Sequence, residues 1–283
     1  MFIDQSKIYP FPKVTPIRLP RVISLAESFL KEEDFSLTAK QSIIRMKDLE
    51  QTFRDWFNPL ADTSPFPYMY FMNNGITQAL ETMPVIFKNR DISMLQGDYF
   101  WLKTIKAAVE VNTRTMCDIS YESCPSAVTG NVIDTTWDSK HHILDCAYVG
   151  TTNTKTIIPT NTDYLLLGFS KNIGMPELRL GLLLSKKPIL TLEGLQKTFS
   201  HVGLNFFNIA AKICKSIPIL ELASELKEYQ SKFCNLYPEL LPSDSAILTT
   251  TDDVSYRFYK RPNGTIRVPV GESITYCIKN KLI

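Results

Sequence analysis

One run of the sequence carries residue types at a spacing suited to covalent chemistry: Leu165-Leu166-Leu167-Gly168-Phe169-Ser170-Lys171-Asn172-Ile173-Gly174-Met175-Pro176-Glu177-Leu178-Arg179-Leu180-Gly181. An apolar stretch of strand length delivers Ser170-Lys171 into a glycine-containing loop, and Arg179 follows eight residues after the lysine. A lysine amine forms a Schiff base most readily when burial or neighbouring cations lower its pKa. A guanidinium, always charged and fork-shaped, suits a phosphate. The pair has the chemistry to hold a phosphate-bearing aldehyde. A Ser-Lys dipeptide alone says nothing; the arginine at this distance after an apolar strand gives it content.

Four other segments are candidates for the same site. Asp145 closes the apolar Ile143-Leu144, with Tyr148 three residues on; a carboxylate there reads equally as a turn or cap residue. The aromatic run 68–72 leads into Asn73-Asn74-Gly75-Ile76-Thr77. A strand, a glycine and a helix start offer free backbone N–H groups and a helix dipole to a phosphate. Gly97-Asp98-Tyr99-Phe100-Trp101 holds aromatic rings that suit either stacking on a flat ligand or plain core packing. Gly264-Thr265-Ile266-Arg267-Val268-Pro269-Val270-Gly271 puts Arg267 on a short strand, where bidentate carboxylate recognition competes with simple exposure. Arg257, Lys260 and Arg261 lie close by in sequence.

The lysine segment resembles that of the class I/II aminotransferases, which use pyridoxal 5'-phosphate (PLP). In that family Ser-Lys and a short loop precede Gly-Leu-Arg-Leu-Gly or a close variant, here Glu177-Leu178-Arg179-Leu180-Gly181. The resemblance runs from about residue 35 to the end, in the family's motif order. It implies that Lys171 is the Schiff-base lysine, and that Ser170 and Arg179 hold the phosphate with the turn Asn74, Gly75 and Ile76. Asp145 would pair with the protonated pyridine nitrogen and keep the ring an electron sink. Tyr148 would donate to the ring's phenolic oxygen, and Tyr99 (Trp101 as the alternative) would stack on the ring. Arg267 would bind the substrate α-carboxylate.

The implied reaction is amino-group transfer between an amino acid and a 2-oxo acid, with Lys171 moving a proton at Cα. Two alternatives stay open: a PLP-dependent decarboxylase, lyase or racemase, and a non-catalytic binding module on the same fold. The resemblance also implies a homodimer. The sequence departs from the family's Asn-Pro-x-Gly, whose asparagine touches the phenolic oxygen. The nearest segment, Cys124-Pro125-Ser126-Ala127-Val128-Thr129-Gly130, has Ala127 at that position. Gly168 stands where a hydroxyl residue commonly helps bind phosphate, and the intervals between motifs are short.

The elements needed to position these residues follow from periodicity. Apolar residues at helical spacing predict a helix over 36–57, and Gly75 opens another that Pro84 kinks or ends. Strands are expected at 68–72, 93–97, 116–121, 142–149, 164–169 and 179–185, with a helix over 101–111. Strands alternating with helices predict an α/β fold, a three-layer, mostly parallel sheet of the PLP-dependent transferase type. Past Pro188, helices at 190–201, 204–215 and 219–233 and strands at 246–250, 254–259 and 265–270 predict a small α+β domain. The expected division is an extended N-terminal arm, rich in proline, over 1–35, a PLP-binding large domain over 36–190, and a small C-terminal domain over 191–283.

Composition narrows the class. In 283 residues, 44% apolar content suffices for a large core. Lys and Arg number 31 against 29 Asp and Glu, so nothing in the charge balance favours nucleic acid or an anionic membrane. The expected partners are therefore small molecules, an amino acid and a 2-oxo acid. The N-terminus lacks a basic segment followed by an apolar one, and no apolar run approaches membrane-spanning length, so a cytoplasmic protein is expected. The six cysteines form no C-x-x-C pair and read as reduced, mostly buried thiols. No metal site is expected from three histidines, two of them the adjacent His141-His142.

Overall fold

The computed structural model describes residues 1–10, 12–36 and 38–283. Phe11 of the expected arm and Leu37 of the expected helix 36–57 lie outside the described residues. The strands β1 (Tyr68–Met72), β2 (Ile92–Leu95), β3 (Ala108–Val111), β4 (Cys117–Ser123), β5 (Ser139–Cys146), β6 (Thr162–Gly168) and β7 (Gly181–Ser185) form one sheet. Its order is β1-β7-β6-β5-β4-β2-β3. The neighbours from β6 across to β3 pair in parallel, while β7 runs antiparallel to both β6 and β1.

Both faces of this sheet are covered, which is why its central strands read as unbroken apolar runs. Successive residues alternate between two cores. Leu165, Leu167, Leu182 and Leu184 face one, and Leu166 and Leu183 face the other. On the first face lie α1 (Pro20–Lys31), α2 (Ala39–Phe57) and α6 (Asn205–Ser216), whose aromatic residues meet the sheet's: Phe53 packs 4.7 Å, centroid to centroid, from Phe169. On the second lie α3 (Gly75–Ile86) and the single turn α4 (Trp101–Thr104), through Ala79, Leu80, Met83 and Leu102. The three-layer α/β architecture expected from the sequence is therefore the one observed.

A short turn, α5 (Leu190–Leu192), runs into a π-helical segment at Glu193–Thr198, where one regular helix over 190–201 was expected. Then come α7 (Ile219–Leu236), β8 (Leu241–Pro242), β9 (Leu248–Thr251), β10 (Ile266–Pro269) and α8 (Gly271–Lys279). The last three strands make a separate antiparallel sheet, β10-β9-β8. The first hydrophobic core is continuous from Ile17 to Cys277, so helices α7 and α8 pack into the same interior as the main sheet.

Other expectations fail for local reasons. Residues 20–31 are not part of an extended arm: Pro20 occupies the first turn of α1, where its missing N–H costs nothing, and Val22 and Ala26 turn inward. The helix expected over 101–111 ends after one turn because Lys106 takes a left-handed conformation (φ +56°), and Ala108–Val111 leaves as the edge strand β3. The strand expected at 254–259 is a 3₁₀ segment, nucleated where the Asp253 carboxylate accepts from Ser255 N at 2.8 Å. Pro84 is accommodated inside α3. All six cysteines are free and five are buried. None of the helices among the described residues is long and apolar enough to cross a membrane.

The N-terminal residues are tied to the last helix. Ile3 N donates to Ser273 Oγ at 2.9 Å, Arg18 N to Thr275 Oγ1 at 2.9 Å, and Gln5 N to Tyr259 Oη at 2.9 Å. Gly271 permits this docking: a Cβ there would lie 2.1 Å from the Thr15 carbonyl oxygen and 2.9 Å from the Pro16 carbonyl carbon. Both obstacles are backbone, so Gly271→Ala should destabilise the protein by roughly 1–3 kcal/mol. Urea unfolding should show a lower midpoint, with faster proteolysis before residue 20. An unchanged midpoint would mean that the segment is not held as described.

Candidate functional site

The carboxyl ends of the parallel strands, with the start of β7, bring the singled-out residues together. In register, Ser123 of β4 stands beside Asp145 of β5, Asp145 beside Leu166, and Gly168 of β6 beside Gly181 of β7. In open α/β sheets this edge is where ligands bind. Lys171 follows β6 in the next turn, with Ser170 half-buried before it.

One end of this group is built around two glycines. Gly75, at φ +66°, begins α3, and Gly181 lies so close that a Cβ on it would meet Gly75 C at 2.6 Å and Ile76 N at 2.7 Å. This contact fixes the loop before β7 against the helix start. Arg179, itself left-handed at φ +52°, reaches over that start. Its Nε donates to Asn74 Oδ1 at 3.2 Å, and its Nη2 to Asn74 O at 3.1 Å and Thr77 Oγ1 at 3.3 Å. Asn74 gives the first turn no side-chain cap. A guanidinium beside the positive end of a helix is unfavourable by itself. An anion between them removes the conflict. Gly168 is also close: a Cβ there would come within 3.0 Å of Ile76 Cδ1, so a hydroxyl residue would crowd Ile76.

The other end is a set of buried ionisable groups. Asp145 is 2% exposed; its Oδ2 accepts from Tyr121 Oη at 2.8 Å and its Oδ1 from Ala147 N at 2.9 Å. Burial, opposed by the Tyr121 bond, pushes its pKa up to about 7. Burial likewise lowers Lys171 to about 8, helped by the charges of Lys13, Arg267 and Arg179. The lysine's Nζ donates to the Val14 carbonyl of the N-terminal segment. Tyr148 is held up at about 12 by burial, against the pull of Arg267. Tyr99 is raised by burial and by the charge of Asp145, with Thr77 and Arg179 acting in the other direction.

Arg267 is 3% exposed, so the reading of it as a surface arginine is wrong. Its Nη1 donates to the Ala127 carbonyl, its Nε is buried with no partner among the described residues, and burial lowers its pKa to about 10. The site thus gathers Asn74, Gly75, Ile76, Tyr99, Asp145, Tyr148, Ser170, Lys171, Arg179 and Arg267 along one edge. Trp101, the alternative to Tyr99, is the first residue of α4 and packs, half-buried, against the second core.

Sequence reasoning passed over several participants. Asp98, buried, accepts from Ser123 N at 3.0 Å, Ser123 Oγ at 2.6 Å and Tyr99 N at 2.6 Å. Arg261 donates to Gly97 O and influences Arg267, Tyr148 and Asp98 electrostatically. The only sequence signal for either was its neighbourhood, Gly97-Asp98-Tyr99 and Arg261 six residues before Arg267. Two cavities elsewhere, about 270 Å³ between α2 and α6 and about 330 Å³ beside Trp56, touch none of these groups. No metal-binding cluster of His, Cys, Asp or Glu occurs among the described residues.

Asp145 has a testable energetic consequence. Its pKa is higher folded than unfolded, so the folded protein binds the extra proton between about pH 4 and 7 and loses stability as pH rises through that window. Asp145→Asn should therefore stabilise the cofactor-free protein by roughly 1–3 kcal/mol at pH 8, with the gain fading toward pH 4. Urea unfolding across that range checks it; a difference independent of pH would exclude the mechanism.

No protein-family model matches the chain, and no curated protein matches it by sequence. Solved structures do. Histidinol-phosphate aminotransferase from Sinorhizobium meliloti, in complex with pyridoxal-5'-phosphate, is 15% identical with a TM-score of 0.62, covering 96% of this chain and 90% of its own. Tyrosine aminotransferase from Leishmania infantum is 11% identical with a TM-score of 0.62, over 93% and 90%. L-threonine-O-3-phosphate decarboxylase from Porphyromonas gingivalis is 14% identical with a TM-score of 0.61, over 96% and 98%. Over nearly its whole length, the chain has the fold that these aminotransferases and this decarboxylase share.

Proposed function

We propose that the protein is a PLP-dependent aminotransferase, moving an amino group between an amino acid and a 2-oxo acid. The observation that carries this reading is the convergence, on one sheet edge, of a buried carboxyl, a lysine of lowered pKa and an arginine over a helix start. The fit to PLP is chemical. Asp145 suits a protonated ring nitrogen, Lys171 an aldehyde carbon, and Arg179 with the Gly75 turn a phosphate. The two orphaned guanidinium Nε atoms, of Arg267 and Arg261, want acceptors that the described residues do not supply. When bound, PLP supplies the electron sink that lets a bond at the substrate Cα break.

The chain's own groups would do the rest. Arg179, Asn74, Gly75, Ile76 and Ser170 anchor the phosphate, and Asp145 fixes the ring through charge. Tyr99 packs against the ring face, and Tyr148, uncharged at neutral pH, donates from its hydroxyl. Lys171, near pKa 8, is a substantial fraction neutral at pH 7–8, so it takes and returns a proton at Cα without a large energetic cost. Arg267 turns the α-carboxylate, and with it the Cα substituents, into one orientation. Its Nη1 is committed to Ala127, and its Nε, without a partner among the described residues, is left to meet the carboxylate. The homodimer implied by the sequence resemblance belongs to the same reading.

Borohydride treatment after PLP addition, followed by peptide mapping, should find the cofactor's mass on the peptide bearing Lys171. Lys171→Ala should carry none, and Arg179→Ala should bind PLP at least about tenfold more weakly. A wild-type protein with no adduct would overturn the reading. With an amino acid, one equivalent of 2-oxo acid and neither ammonia nor carbon dioxide is expected. Release of either gas would exchange transfer for elimination or decarboxylation.

A further inference from the structure

The site holds more positive charge than a cofactor phosphate and one carboxylate can use. Arg179 lies at the phosphate turn and Arg267 at the α-carboxylate position. Arg261 remains, half-buried beside the same groups. It lies in the turn between the 3₁₀ segment and β10, which a backbone bond from Arg261 N to Thr265 O at 2.7 Å closes. Gly97, at φ +87°, packs against the following Pro262 and receives a bond from Arg261 Nη2 on its carbonyl. The side chain is thereby held in place at one nitrogen.

Its remaining capacity is unspent. Arg261 Nε is buried and has no protein partner among the described residues, as is true of Arg267 Nε. The carboxyl whose charge it feels, Asp98, uses its oxygens on Ser123 and Tyr99 and makes no ion pair with it. A buried guanidinium nitrogen without an acceptor is costly. The two arginines also repel each other, so packing alone gives no reason to place them together. A ligand with two anionic groups gives one.

We propose that Arg261 reads a second anionic group of the substrate, distal to the α-carboxylate held by Arg267, so that the preferred amino acids end in a carboxylate or a phosphoryl group. This rests on the aminotransferase reading for the role of Arg267. Lys13, exposed on the N-terminal segment and close enough to influence Lys171, adds to the attraction. Its main chain is clamped by the buried Gln5, whose Oε1 accepts from Lys13 N at 2.7 Å and whose Nε2 donates to Lys13 O at 2.9 Å.

The test uses three acids that share one carboxylate: butyrate, glutarate and 3-phosphonopropionate. Their affinities are measured by calorimetry for the full chain with and without PLP. Wild type should bind one or both dianions at least about tenfold more tightly than butyrate, the gain of one charge-assisted pair. Glutarate leading identifies a carboxylate side chain, and 3-phosphonopropionate leading a phosphoryl one. Arg261→Gln should bring the three acids level, while Arg261→Lys, which keeps the charge, should restore part of the preference. Arg267→Gln should weaken all three.

Equal affinities in wild type would overturn the proposal, as would a dianion preference that survives in Arg261→Gln. If the Gln variant does not fold, judged by its melting curve, a Lys variant with undiminished preference and a wild type without preference are the outcomes that count against it; a reduced preference supports it. Failure to form the Lys171 adduct would sink the aminotransferase reading separately, and the titrations without PLP would still decide whether the arginine pair binds dianions.

Discussion

The close approach of Gly181 to the Gly75–Ile76 peptide governs the geometry of the site. There is no room between them for a methyl group, so β7 and the first turn of α3 are locked at backbone contact. Arg179, two residues before Gly181, has then little choice but to lie across the helix start. β7 is also the reversed strand, inserted between β1 and β6. Its reversal brings its first residue, rather than its last, to the edge where β4, β5 and β6 end. One strand direction and one missing side chain thus unite the lysine loop, the helix start and the arginine.

The same edge is energetically expensive. Asp145, Lys171 and Arg267 are all shifted toward their neutral forms, and burial is the largest cause in each case. Groups kept for stability would be paired; these three form no ion pair among the described residues. The apolar sheet and the two cores provide the surplus stability that tolerates them. Ordinary ion pairs in the chain look different: Glu122 is buried but bonded twice by Arg114, at 2.9 and 2.6 Å, and once by Trp137, at 2.7 Å. That contrast separates a structural charge from one held ready for a ligand.

Much of this was legible in the sequence because the decisive segments are locally determined. β1, β6 and β7 are apolar on both faces, so their runs stand out at any register, and Gly75 marks a helix start by composition. Arg179 and Lys171 sit in one short segment that shows both at once. The failures have the opposite origin. Lys106 ends α4 by adopting a left-handed conformation that no residue type announces. α8 went unseen because it begins at Gly271, whose smallness serves the Thr15 carbonyl across the fold. Arg261 was hidden because its significance lies in what it fails to bond, and bonding partners distant in sequence cannot be read from spacing.

Ala127 shows how binding and reactivity can separate in such a site. Where the resembled pattern has an asparagine amide facing the ring's phenolic oxygen, this chain has a methyl group. The position nevertheless keeps its structural duties through its main chain. Ala127 N donates to Ser123 Oγ at 2.7 Å, which itself donates to Asp98, and Ala127 O accepts from Arg267. A backbone carbonyl orients the arginine regardless of the side chain attached. On the proposed reading, the substitution would leave recognition of a carboxylate intact and remove one donor from the ring. Tyr148, flanked by Arg267 and kept protonated, would be left as the donor on that side. A ring oxygen with one donor rather than two is more basic and holds the neighbouring proton more tightly. The departure would thus fall on the electronics of the proposed reacting centre, while the residues proposed to grip phosphate and carboxylate stand on separate elements.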